Sequence, residues 1–201
     1  MVRIAVLISG GGTNLQSLID AVNNNYINGE IALVVSNKAD AYGLERAKNA
    51  GIKAEFIRDE DLLIQRLAEE KIELIVLAGY LAIVSDRLIG LYENRIMNIH
   101  PSLIPAFCGP GYYGLHVHRA VLKRGVKLSG ATVHFVSNVV DGGPIILQEA
   151  IDISSAETPE EIQKMVLVNV EHKLLPLAVK LYCENKLEIV NERVIIKWKE
   201  R

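Results

Sequence analysis

Short apolar runs, each followed by a stretch of helical periodicity, recur along the first half of the chain and constrain its fold more than any other feature. Residues 4–8 (Ile-Ala-Val-Leu-Ile), 31–35 and 74–77 are almost wholly apolar, as strands must be when helices cover both faces of a sheet. Residues 14–24 carry Leu15, Leu18, Ile19 and Val22 on one stripe, residues 43–50 and 60–70 read as further helices, and 54–57 as a short strand. This succession predicts a mainly parallel sheet with right-handed crossovers. A short helix at 86–91 then leads into another apolar run at 95–99, which ends in Asn98 and His100 before Pro101.

The second half is less regular. Residues 116–124 read as a helix and 127–137 as a strand with Thr132 and His134 on one face and Val133 and Phe135 on the other. Residues 145–151 form another expected strand. Thr158-Pro159-Glu160-Glu161 is a helix start, with a capping hydroxyl, proline at the first position and acid in the first turn. That helix is expected to run toward residue 182, with Pro176 kinking or breaking it. Residues 186–190 and 193–198, joined by Asn191-Glu192, predict a terminal hairpin. The expected class is α/β, a Rossmann-like three-layer fold with a mostly parallel central sheet and antiparallel strands in the C-terminal half. A length of 201 residues suits one such domain spanning 1–201 better than two small ones.

Composition narrows the class of partner. The net charge is -2 with both signs interspersed, which leaves no electrostatic footprint for nucleic acid or an anionic membrane. Small molecules are the expected partners. The two cysteines, Cys108 and Cys183, are too few for a disulfide framework. No apolar stretch approaches the ~18 residues of a membrane span, and residues 4–8 are too short for a signal-peptide core. A cytoplasmic protein is the resulting expectation.

Four stretches carry chemistry. Ser9-Gly10-Gly11-Gly12-Thr13 joins the first strand to the first helix, the arrangement in which helix-start N–H groups cradle an anion. No Lys-Ser/Thr closes this loop and Leu15 stands where a dinucleotide fingerprint has its third glycine, so a single phosphate monoester fits better. A glycine turn serving only close packing is the alternative. Asn98 and His100, two apart at a strand end, project to one face, where α/β proteins place chemistry; satisfying turn backbone is their plainer reading. Asp141-Gly142-Gly143-Pro144 sets a carboxylate in a tight turn, an Asx-turn acceptor unless an imidazole lies near. Residues 81–84 (Leu-Ala-Ile-Val) leave their strand as an apolar loop, unusual unless it is buried or lines a pocket. Residues 107–114 read as a mobile flap. Cys108 has no adjacent base to make it a nucleophile, and His100, His116, His118 and His134 form no metal-ligand spacing, so no metal is expected.

Taken in order, residues 9–15 (Ser-Gly-Gly-Gly-Thr-Asn-Leu), 98–105 (Asn-Ile-His-Pro-Ser-Leu-Ile-Pro), 114–118 (Gly-Leu-His-Val-His) and 141–144 (Asp-Gly-Gly-Pro) resemble the folate-dependent formyltransferases, and among them the phosphoribosylglycinamide formyltransferases. The likeness extends over nearly the whole chain. It implies formyl transfer from 10-formyltetrahydrofolate to the primary amine of glycinamide ribonucleotide, by direct attack through a tetrahedral intermediate, in purine synthesis. Asn98 and a protonated His100 would donate to the oxyanion, while Asp141 would raise the imidazole pKa and assist proton transfer. Gly11, Gly12, Thr13 and Asn14 would hold the phosphate and Glu171 the ribose. The folate would lie on Leu81, Ala82, Ile83, Val84, Asn98, Val139, Val140 and Asp141, with Arg58 a candidate contact to its benzoylglutamate end.

The resemblance divides the chain into a ribonucleotide-binding half, 1–100, and a folate-binding and catalytic half, 101–201, in a monomer or homodimer. Two positions depart from the family pattern: Ala82 stands where a basic residue is frequent, and Val168 where a glutamine can lie beside the ribonucleotide. Formyltetrahydrofolate hydrolase shares the catalytic trio but resembles this chain preceded by a regulatory domain, for which a start at Met1-Val2-Arg3 leaves no room. A methionyl-tRNA formyltransferase would carry a further C-terminal domain. A binding protein would have no need of Asn98, His100 and Asp141 together.

Overall fold

A computed structural model describes residues 1–198. The chain forms two compact units, Met1–Asn98 and the residues from Ile99 onward. In the first, β1 (Val2–Ile8), α1 (Thr13–Asn23), β2 (Gly29–Ser36), α2 (Tyr42–Asn49), β3 (Ala54–Phe56), α3 (Glu60–Glu69), β4 (Leu74–Leu77) and α4 (Asp86–Leu91) follow one another, and β5 (Ile96–His100) ends the succession. β1 pairs in parallel with β2 and β4, β2 with β3, and β4 with β5. Ala5, Val6 and Leu7 are completely buried, which is why this strand tolerates no polar residue along its middle. Two of these helices, α3 and α4, start where a side chain caps them: Asp59 accepts from the Leu62 N–H at 2.8 Å and Ser85 from the Leu88 N–H at 3.2 Å.

The second unit holds α5 (Leu115–Arg124), β6 (Leu128–Phe135), β7 (Ile145–Asp152), α6 (Pro159–Val166), α7 (His172–Cys183), β8 (Leu187–Val190) and β9 (Arg193–Ile196). β6 and β7 are antiparallel, with a register shift at Val133/His134. Seven strands lie in one sheet in the order β3-β2-β1-β4-β5-β6-β7, and β8 and β9 form a separate antiparallel pair. The α/β architecture with a mostly parallel sheet and antiparallel C-terminal strands is thus as expected. Asn191 and Glu192 both have positive φ, 49° and 60°, as a two-residue hairpin turn matching the strand twist requires.

One expectation is corrected. The last long helix does not break at Pro176, which lies buried inside α7. The irregularity sits upstream, where Leu167–Glu171 form a π-helical turn between α6 and α7. The carbonyl Pro176 would have used in an unbroken α-helix is that of His172, the first residue past this turn. The lost bond therefore falls at a junction where the hydrogen-bond register is already changing. The start of α6 is as the sequence predicts: Thr158 and Glu161 form a reciprocal capping box and Pro159 opens the helix.

Candidate active site

In the first unit the glycine loop is shaped by close approach. Gly12 has φ 70° and caps α1 without any side-chain hydrogen bond. A Cβ there would meet the Gly43 Cα at 2.7 Å, so both backbone angle and contact demand glycine. The Gly43 N–H donates to the Gly10 carbonyl at 3.0 Å and Arg46 Nε to the Gly11 carbonyl at 2.8 Å. These bonds use the loop's carbonyls and tie it to α2. The first amides of an α-helix, such as those of Thr13 and Leu15 in α1, have no intrahelical acceptor. An uncapped helix start whose loop carbonyls are turned away favours an anion. Asn14 is buried, whereas Gly11 and Thr13 are exposed.

The apolar loop after β4 is anchored at its base. The Ser9 N–H donates to the Gly79 carbonyl at 3.1 Å, and the Leu81 N–H to Ser9 Oγ at 2.8 Å. That hydroxyl donates in turn to Asn37 Oδ1 at 2.6 Å. Leu81 and Ile83 nonetheless stand exposed, Ile83 at 86%, while Ala82 and Val84 are half-buried. Arg58 is exposed, with Nε 3.2 Å from the Asn37 carbonyl and its guanidinium over the Phe56 ring.

In the second unit His100 and Asp141 come together. His100, 4% exposed, ends β5, and alternation puts Asn98 on the same side of that strand. His100 Nδ1 lies 3.5 Å from Asp141 Oδ2, and the Gly109 N–H donates to that same oxygen at 2.8 Å. Asp141 has φ 54° in its turn. A Cβ on Gly143 would meet the Phe135 carbonyl at 1.9 Å, which explains the glycine that lets this turn press against β6. The stretch expected to be a flap is fastened along its first half, since the Phe107 carbonyl accepts from His100 Nε2 at 2.9 Å and Gly109 holds Asp141.

Electrostatics bears on one expected role. Burial pushes the His100 imidazole below its ordinary 6.5, and the raising effect of Asp141 and of the Phe107 carbonyl does not outweigh it. Burial thus favours the neutral ring, against the protonated form that the resemblance implies. Burial works to raise the Asp141 carboxyl, yet His134, His100 and the Gly109 N–H together hold it below the usual carboxylate range. Burial, with Asp141 adding to it, pushes the Cys108 thiol up, which removes it further from nucleophilic use.

Sequence reasoning passed over His134. Its Nε2 lies 3.6 Å from Asp141 Oδ1, so the carboxylate stands between two imidazoles. Its Nδ1 meets the Phe135 carbonyl at 2.8 Å. The available signal was its position at the end of a strand that feeds the Asp141 turn. Glu171, in the π turn, is buried, 6% exposed. Val139 and Val140 stand exposed beside Asp141, and Val168 is exposed on its helix. Among the described residues no group of three or more His, Cys, Asp or Glu side chains is placed to hold a metal ion.

Comparison with known proteins shows the family. The model of the formyl transferase family matches residues 2–179. Phosphoribosylglycinamide formyltransferase of Escherichia coli (strain K12) is 39% identical over 197 residues, covering 93% of this chain and 90% of that one. The crystal structure of glycinamide ribonucleotide transformylase 1 from Symbiobacterium toebii matches with a TM-score of 0.91 at 43% identity, covering 98% of this chain and 94% of that one. A formyltetrahydrofolate deformylase from Pseudomonas syringae pv. tomato str. DC3000 has the same fold, with a TM-score of 0.88, at 23% identity; the match covers 97% of this chain and 65% of that one.

Proposed function

The chain belongs to the formyl transferase family, and on that premise we propose that it moves the formyl group of 10-formyltetrahydrofolate onto the primary amine of N1-(5-phospho-D-ribosyl)glycinamide, a step of purine synthesis. The observation that carries the reading is the buried His100–Asp141 pair, 3.5 Å apart, with Asn98 two residues back on the same strand. The amine attacks the formyl carbon and an oxyanion develops. Asn98 donates a hydrogen bond to that oxygen, and a single preorganised donor of this kind contributes about 3 kcal/mol. His100, neutral beforehand, takes the amine proton and becomes an imidazolium that Asp141 stabilises. The same proton then reaches the departing folate nitrogen as its bond to the formyl carbon breaks.

The glycine loop supports the choice of acceptor. Gly11, Gly12, Thr13 and Asn14 are assigned to the phosphate monoester, as the uncapped start of α1 favours. Glu171 is assigned to the ribose. The folate is assigned to Leu81, Ala82, Ile83, Val84, Asn98, Val139, Val140 and Asp141, with Arg58 toward its glutamate end; exposed apolar side chains, Leu81 and Ile83 in the first unit and Val139 and Val140 in the second, support that assignment. The proposal is of one enzyme with a ribonucleotide-binding half at 1–100 and a folate-binding, catalytic half at 101–201. It acts as a monomer or homodimer, and in the cytoplasm. No step of this chemistry calls for a metal.

Variants test the roles. His100→Ala and Asp141→Asn should each lower turnover by about 10²- to 10⁴-fold while ribonucleotide binding, followed by calorimetry, stays within about twofold. Near-normal turnover in either variant contradicts the assignment.

A further inference from the structure

Behind His100 lies a hydrogen-bonded scaffold that belongs wholly to the second unit. Ser102 is 1% exposed, and its hydroxyl lies 2.7 Å from the Ala106 carbonyl and 3.2 Å from the Phe107 carbonyl. The Phe107 carbonyl is also the partner of His100 Nε2, at 2.9 Å. A carbonyl has no proton to give, so Nε2 must carry the N–H in that bond. In the neutral ring the lone pair then sits on Nδ1, the nitrogen that faces Asp141.

The turn bearing these carbonyls is gripped from β6 and β7. Thr132, fully buried, donates from Oγ1 to the Ser102 carbonyl at 2.7 Å and accepts the Ile104 N–H at 3.1 Å. Gln148, its cross-strand partner, donates from Nε2 to Thr132 Oγ1 at 2.9 Å and to the Ile104 carbonyl at 2.8 Å. Backbone groups at Ser102 and Ile104 and both carbonyls at Ala106 and Phe107 are thus engaged by side chains. A satisfied network of this kind, buried at Ser102 and Thr132, fixes one geometry.

We propose that Ser102, supported by Thr132 and Gln148, is a positioning residue that holds His100 in the Nε2–H tautomer, so that Nδ1 is the nitrogen that receives the proton released during formyl transfer. The inference rests on the formyl-transfer reading for the proton's origin. As the bond between amine nitrogen and formyl carbon forms, the amine proton passes to the Nδ1 lone pair. The imidazolium keeps Nε2–H on the Phe107 carbonyl and turns Nδ1–H toward Asp141. As the bond from formyl carbon to folate nitrogen breaks, the proton leaves Nδ1 for that nitrogen, and the ring returns to its starting tautomer.

The test is nitrogen NMR of the imidazoles in ¹⁵N-histidine-labelled protein above pH 7, with His100 assigned by loss of its signals in His100→Ala. The expected wild-type pattern is one protonated Nε2 and one bare Nδ1. Ser102→Ala is expected to give averaged signals from both tautomers, with kcat lower by about tenfold to hundredfold and KM for each substrate within about twofold. Ser102→Thr, which keeps the hydroxyl, restores the single tautomer. Gln148 is exposed, so Gln148→Met tests the same scaffold without a buried change and is expected to shift the signals in the same direction. A wild-type ring protonated on Nδ1, or an unchanged tautomer in both Ser102→Ala and Gln148→Met, overturns the proposal. Wild-type protein with the expected tautomer but no transfer of formyl refutes the activity reading alone and with it the proton's assigned origin.

Discussion

Burial acts against charge at both members of the His100–Asp141 pair, and it wins at only one of them. The imidazole stays below its ordinary 6.5 because a single carboxylate at 3.5 Å does not offset its desolvation. The carboxylate stays ionised because two imidazoles and an N–H act on it. If neutral His100 is the working form, kcat/KM is level above pH 6.5 and declines as pH falls through a midpoint below 6.5. Asp141→Asn removes the influence that raises the imidazole, so the residual activity of that variant should decline at a still lower pH. A midpoint above 6.5 in the wild-type pH–rate profile would contradict this. His118 gives a stability prediction. It is 1% exposed, and burial, with His100 nearby, lowers it to about 4. The unfolded chain, with this group near 6.5, binds the proton more readily than the folded one between those values. His118 therefore leaves stability whole above pH 6.5 and takes it away as pH falls toward 4, by roughly 3 kcal/mol in all. His118→Phe should flatten that part of the curve, measured as urea midpoints at pH 7 and pH 4.5; equal acid sensitivity in the variant would refute the assignment.

Elements whose periodicity is one-dimensional were legible in the sequence, and elements set by contacts were not. β1 and α1 follow from an apolar run and an apolar stripe. The capping box at Thr158 follows from four consecutive residues. Gly12 was visible as a glycine but not as a necessity, because the contact with Gly43 Cα joins residues far apart in the chain. Gly12→Ala is accordingly expected to raise the KM for ribonucleotide by tenfold or more through displacement of the loop, and to lower stability by about 1–3 kcal/mol; an unchanged KM would remove the loop from the phosphate site. The π turn at Leu167–Glu171 left no local mark that outweighed Pro176, a residue whose general effect is so strong that it drew the expected break to itself. Asn98, His100 and Asp141 were legible as chemistry, but His134 was not, since its partner lies beyond the bulge that ends β6. Thr158→Ala should cost about 1 kcal/mol in denaturant titration without altering KM, because the cap fixes α6 and touches none of the assigned ligand groups; a large KM change would contradict that separation.

For the whole molecule the question is whether the chemistry ends on an amine or on water. The fold alone does not decide, because a deformylase has it as well. The buried imidazole beside an ionised carboxylate suits either acceptor, and in the proposed reading the amine is selected through the glycine loop, which is assigned to the phosphate carried with it. Purified protein given 10-formyltetrahydrofolate with and without glycinamide ribonucleotide is the direct measurement, following folate absorbance and the formylated product together. The account predicts folate release and an equal amount of N-formyl ribonucleotide only when both substrates are present. Release of folate at the same rate without ribonucleotide would contradict it and assign the chain to hydrolysis.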